Sequence, residues 1–198
     1  AEIAILSALA IVLDRVVRIP LGATGGSINI SMVPLYVIAL RHGWFKSFIA
    51  GGIVYGLITC LFDGYGLICY PLEYFVAFGA ICILGVASKY INGIKLDSFK
   101  NICISYGLLI ASIVLATFVR IFAASIDSVL IWEYTFGAAL AYNIPYVSLS
   151  SIFVCVIMCF LLPVVKKLNN QFTTDVRNSN RISASDEALK MILEMIGE

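Results

Sequence analysis

Charge is what this sequence has least of. Of its 198 residues only 13% are charged and 61% are hydrophobic, with a mean hydropathy of +1.00. An ordinary soluble domain carries about 25% charged residues. So few charges cannot cover a water-facing surface, which excludes a soluble globular protein. Period-two alternation is equally scarce in the long apolar runs, which excludes an outer-membrane barrel and leaves helices as the spanning elements. Histidine is almost absent, with His42 the single example. No Ser/His/Asp or Cys/His constellation can be drawn around it, so no catalytic residue is expected. No glycine-rich phosphate loop is present, so the chain does not itself hydrolyse ATP. Six cysteines, at 60, 69, 82, 103, 155 and 159, include no CxxC pair. They read as small apolar fillers rather than disulfides or metal ligands, and no metal or cofactor is implied. A net charge of +1 points to no nucleic-acid partner.

What is there is a series of apolar runs. They predict an all-α integral membrane protein, a bundle of six transmembrane helices over residues 3–17, 33–40, 45–62, 67–87, 102–124 and 136–165. The first run lacks a basic leader and a small-residue cleavage site, so it reads as a span and not a signal peptide. Its Ala4, Ser7 and Ala8 make a small-residue face that lets another helix approach closely. Residues 22–27 are turn-rich. Ile28-Asn29-Ile30-Ser31 then alternates apolar with polar, a period that is not helical, and irregular backbone near membrane depth must line a cavity or be buried in protein. Asn29 and Ser31 are therefore candidates for a pocket wall, or else caps of the next span. Gly51, Gly52 and Gly56 form a second close-packing face. Residues 1–168 form one expected transmembrane domain; residues 169–198 turn polar and end in a short amphipathic helix, a cytoplasmic tail.

The few charges carry the topology. Arg41, Lys46, Lys89, Lys95, Lys100, Lys166, Lys167, Arg177, Arg181 and Lys190 all fall on one side of such a bundle, ten of the 13 Lys and Arg. Loops on the other side carry mainly Asp63, Asp127 and Glu133. The preference for positive charge inside then makes both termini cytoplasmic. Glu73, Arg120 and Trp132 fall toward the outer face, with Tyr70, Tyr74, Tyr134, Tyr142 and Tyr146. Glu73 and Arg120 are the charges most deeply set in apolar runs. Ionised groups in a membrane segment are costly, and they mark a substrate or ion pathway when they do not simply pair with each other. Aromatic faces around a carboxylate suit a flat, cationic, hydrogen-bonding small molecule. An ion-driven secondary transporter, which would show an internal repeat, and a purely structural role remain open on these residues alone.

Several stretches resemble a known family, the substrate-binding S components of energy-coupling factor (ECF) vitamin transporters, and above all its thiamine-specific group. They are residues 25–34 (Gly-Gly-Ser-Ile-Asn-Ile-Ser-Met-Val-Pro), Ala39-Leu40-Arg41-His42-Gly43, residues 73–80 (Glu-Tyr-Phe-Val-Ala-Phe-Gly-Ala), Arg120-Ile121-Phe122, and Tyr142-Asn143 with Tyr146. The resemblance implies a six-helix subunit in the plasma membrane of a prokaryote that captures vitamin outside with high affinity. It implies a transmembrane coupling protein and two cytoplasmic ATPases as partners, with Ala4, Ser7 and Ala8 at the coupling contact. Thiamine is the implied ligand. Glu73 would hold its aminopyrimidine and Tyr74 would line the pocket. Arg120 stands at a basic position, Trp132 at a stacking aromatic, and Asn143 and Tyr146 at polar pocket positions. One turn after Arg120, where thiamine members carry a histidine, stands Ala124.

Overall fold

A computed structural model describes residues 1–20 and 27–196, with side chains at 1–19 and 27–171. The side chains of the expected amphipathic tail helix, and residues 21–26 of the first loop, lie outside the described residues. Two compact units divide the chain, residues 1–161 and residues 162–198. In the second unit the backbone stays helical through Ile196, as the end of helix α7.

In the first unit, helix α1 (Glu2–Val16) shows how this protein is patterned. Its buried residues are Ser7, Ala10 and Asp14, while Ile5, Leu9, Val12 and Val16 face outward. Small and polar groups turn in and branched apolar groups turn out, the reverse of a soluble amphipathic helix. A short antiparallel hairpin follows, β1 (Arg18–Pro20) with β2 (Ser27–Asn29), pairing Arg18 with Asn29 and Pro20 with Ser27. The non-helical period read at residues 28–31 is thus partly strand, a small departure from an all-α chain.

Among the described residues four helical stretches are long and apolar enough to cross a membrane: Met32–Asp63, Tyr70–Gly93, Phe99–Trp132 and Phe136–Gln171. The first is broken inside helix α2 (Met32–Phe48) at Gly43, whose φ of 80° and ψ of −174° no helix contains. Glycine reaches that region without the steric cost other residues meet. The break falls where Arg41-His42-Gly43 divides two expected spans. Beyond it come a π-helical turn (Ile49–Tyr55) and α3 (Gly56–Asp63). The next stretch opens on a second π-helical turn (Tyr70–Val76), followed by α4 (Ala77–Gly79) and α5 (Cys82–Gly93).

The two π-helical turns lie against each other. At Gly52 an added Cβ would meet the Phe75 carbonyl oxygen at 2.9 Å, closer than real Cβ atoms come. The glycine face read from Gly51, Gly52 and Gly56 is therefore a packing surface inside this chain. Its effect is to press the turn carrying Glu73 against the first long stretch.

Helix α6 (Phe99–Trp132) runs eight residues past the expected end of its span. Asp127, expected in a loop, lies inside it. Ser125, Asp127 and Ser128 are polar but buried, so the helix continues because these side chains turn inward. Glu133 then stops it in the left-handed region (φ 55°, ψ 25°), and α7 (Phe136–Ile196) begins three residues later.

Candidate functional site

The end of α1, the hairpin, the end of α3, the second π-helical turn, the C-terminal half of α6 and the first turns of α7 enclose one cavity with two lobes. One lobe, about 70 Å³, is lined by Asp14, Arg18, Asn29, Asp63, Glu73, Tyr74, Phe78, Arg120 and Ala124, among others. The wider lobe, about 190 Å³, is lined by Tyr65, Glu73, Ser128, Trp132, Tyr134, Tyr142 and Tyr146. Tyr65, Glu73 and Tyr146 border both, so Glu73 stands where the lobes meet.

Charge in the smaller lobe is organised around Asp63. Its Oδ1 accepts from Arg15 Nη2 at 2.9 Å and Arg18 Nη1 at 3.5 Å, and its Oδ2 accepts from the Tyr74 hydroxyl at 3.1 Å. Arg15 also pairs with Asp14 at 2.8 Å. Asn29 donates from Nδ2 to Asp14 Oδ1 at 2.8 Å and accepts at Oδ1 from the Ser31 hydroxyl at 2.7 Å. Ser31 in turn shares a 2.7 Å hydrogen bond with Tyr55 OH. Asn29 thus reaches the cavity, and Ser31, fully buried one layer behind, fixes its amide. Ser31 also stands at the N-cap of α2, but its side chain makes no capping hydrogen bond there.

Glu73 has other company. Among the described residues no ion pair joins it to Arg120. The Arg120 guanidinium instead lies over the Phe78 ring, 4.8 Å from its centroid. Behind Glu73 lie Asp127 and Cys69, and one ligand atom from each of the three falls within 4.8 Å of the others. Cys69 ends the loop before the π-helical turn and is fully buried. Burial, reinforced by Asp127 and then Glu73, pushes its thiol up to about 12. Arg120 also borders a second, much smaller cavity of about 10 Å³ with Tyr36, Thr117, Ser150 and Ser151. It forms the wall between that space and the main cavity.

The wider lobe is aromatic. Tyr65, from the loop after α3, meets the Trp132 ring edge-on with centroids 5.9 Å apart, and Tyr142 and Tyr146 are similarly paired at 5.6 Å. Burial, reinforced by Asp63, raises the Tyr65 phenol above its ordinary value, so it stays a neutral donor. Asn143 does not face the cavity. It is buried, donates to Ser128 Oγ at 3.3 Å and to the Ala139 carbonyl at 3.0 Å, and accepts from Tyr146 OH at 2.7 Å. It fixes the tyrosine that does.

Of the residues singled out from sequence, Asn29, Glu73, Tyr74, Arg120, Trp132 and Tyr146 border the cavity, while Ser31 and Asn143 sit one layer back. On α1, Ala4 and Ala8 face outward and Ser7 is buried. Sequence reasoning missed Asp14, Arg18, Asp63 and Tyr65 as wall residues, and Asp127 with Cys69 behind Glu73. Asp14 lay in a polar Asp-Arg pair that broke an otherwise apolar run, a signal of the same kind as Glu73.

A cavity whose wider lobe is aromatic, with the Glu73 carboxylate where its two lobes meet, can hold a flat organic cation. Comparison with known proteins points the same way. Residues 1–170 match the thiamine transporter protein family (Thia_YuaJ). The thiamine transporter ThiT of Bacillus subtilis is 30% identical over 186 residues, covering 84% of this chain and 91% of the relative. A solved structure of ThiT from Listeria monocytogenes superposes with a TM-score of 0.65 at 26% identity, covering 85% of this chain and 94% of that one.

Proposed function

From a chain that belongs to the thiamine transporter protein family, we propose a membrane subunit that binds thiamine with high affinity and passes it inward. The observation that carries this is Glu73, placed where an aromatic lobe and a polar lobe meet. Thiamine joins an aminopyrimidine, whose amino group donates hydrogen bonds, to a permanently cationic thiazolium. Glu73 is the acceptor for the aminopyrimidine. Trp132, Tyr142 and Tyr146 offer faces to a cationic ring, each contact worth about 0.5–2 kcal/mol. Tyr74 and Asn29 complete the polar wall, Arg120 closes its floor, and Asn143 holds Tyr146.

On this reading the subunit is an S component of an ECF transporter, a six-span bundle in a prokaryotic plasma membrane with both termini cytoplasmic and the cavity toward the outside. The sequence carries no glycine-rich phosphate loop, and on this reading a membrane coupling protein and two cytoplasmic ATPases supply the energy. The outward-facing Ala4 and Ala8 offer α1 as the contact for the coupling protein; Ser7, turned inward, supports the helix from behind.

Titrating thiamine into purified protein tests the binding reading. Trp132 is one of only two tryptophans, so saturable quenching of fluorescence that disappears in Trp132→Phe is expected. Heat of binding measured in the same variant separates loss of signal from loss of affinity. No saturable binding of thiamine would sink the proposal. For the partner contact, Ala8→Trp is expected to abolish uptake in cells while leaving thiamine binding by the purified subunit intact.

A further inference from the structure

We propose that Cys69, Glu73 and Asp127 form a binding site for a single divalent cation of the zinc and cadmium class, set into the cavity wall. The three come from separate places: Cys69 from the loop after α3, Glu73 from the second π-helical turn, and Asp127 from α6. One sulfur and two carboxylate oxygens lie within 4.8 Å of one another. Asp127 is 99% buried, and among the described residues neither of its carboxylate oxygens meets a hydrogen-bond donor from outside the cluster. Two carboxylates this close, out of water, do not both ionise unless a cation stands between them. The nearest basic residue on α6, Arg120, is turned onto the Phe78 ring instead.

Accessibility decides what kind of cation fits. Asp127 and Cys69 border neither lobe, so an organic cation in the cavity touches Glu73 and stops there. Only a proton or a bare metal ion reaches all three. The sulfur ligand selects among metals: thiolate with carboxylate favours zinc-like ions over magnesium or calcium, which want oxygen alone. Bond lengths of about 2.0–2.3 Å around a tetrahedral zinc put neighbouring ligand atoms roughly 3.5 Å apart. The cluster therefore needs to close by no more than about 1.3 Å on binding, and Glu73, with cavity space beside it, is the member free to move. Cadmium, larger and softer, asks for less closure. The Cys69 proton must leave as the metal enters, so binding tightens as pH rises. This site stands apart from the transport reading, and it shares one residue with it: a metal held by Glu73 takes that carboxylate from the vitamin.

The test is titration of the full chain, stripped of metal in detergent, with Cd²⁺ alone and with Zn²⁺ alone, read by calorimetry and by thiolate-to-metal absorption. One ion per chain and a thiolate band are expected. Cys69→Ser should abolish the band, and Cys69→Ser and Asp127→Asn should each weaken binding about tenfold or more, with melting curves showing both variants folded. Cadmium should also weaken thiamine binding in the parent protein and not in Cys69→Ser. Binding that survives unchanged in Cys69→Ser, or the absence of a thiolate band, overturns the site and leaves the three groups holding a proton only. Thiamine titrated without metal keeps the two readings distinct. Thiamine binding with no metal binding defeats this proposal alone; metal binding with no thiamine binding defeats the transport reading alone.

Discussion

Two aspartates beside one cavity, Asp63 partly buried and Asp127 fully buried, live in opposite surroundings. Asp63 accepts hydrogen bonds from two arginines and a tyrosine. Asp127 faces a carboxylate and a thiol, and among the described residues no donor from elsewhere meets either oxygen. The first arrangement is self-sufficient: the charge is neutralised by neighbours that also tie α1, the hairpin and α3 together. The second is incomplete as it stands, because a buried carboxylate without a donor or a counter-charge costs several kcal/mol. A satisfied charge reports on how the fold is held, and an unsatisfied one on what the fold is waiting to receive. Glu73 lies between the two, close enough to the cavity to be satisfied from outside the chain.

The largest effect is expected at Glu73 itself. Glu73→Gln keeps the shape and removes the charge, and thiamine affinity measured by calorimetry should fall about 100-fold, matching roughly 2–3 kcal/mol for a charged hydrogen bond. Unchanged affinity would show that the carboxylate is not the vitamin's anchor. Next comes Asp63→Asn, which leaves the Tyr74 hydroxyl an acceptor but removes the carboxylate that Arg15 and Arg18 share, with Asp14 still paired to Arg15. Both arginines are partly exposed, so the loss of stability is held to about 1–2 kcal/mol, read as a lower melting temperature. The smallest effect has the opposite sign. Asp127→Asn removes the second buried carboxyl beside Glu73 and supplies an amide donor, and in metal-free protein it should raise stability by about 1 kcal/mol or less. If both asparagine variants destabilise equally, the contrast between the two aspartates is wrong.

Hydropathy made one half of this site visible and hid the other. Glu73 stood out because it interrupts a long apolar run, and Gly43 because a glycine follows two basic residues between two such runs. The membrane-spanning character of the chain was legible for the same reason: sequence hydropathy measures what faces lipid. Asp127 was hidden by that same measure. Ser125, Asp127 and Ser128 look like the polar end of a span, yet they are the inward face of a helix that continues to Trp132. The pairing of Arg15 and Arg18 with Asp63 spans 45 residues or more, and no local pattern predicts it. The π-helical turn that carries Glu73 was equally silent, since apolar side chains at that spacing look the same as those of an α-helix.

Arg120 has a consequence of its own as a bulkhead. It is the residue that the main cavity and the small space beside Tyr36 and Ser150 have in common. Its side chain, spread over Phe78, separates two compartments that its loss would merge. A truncation there would join the small space to the main cavity and deepen the vessel by one compartment.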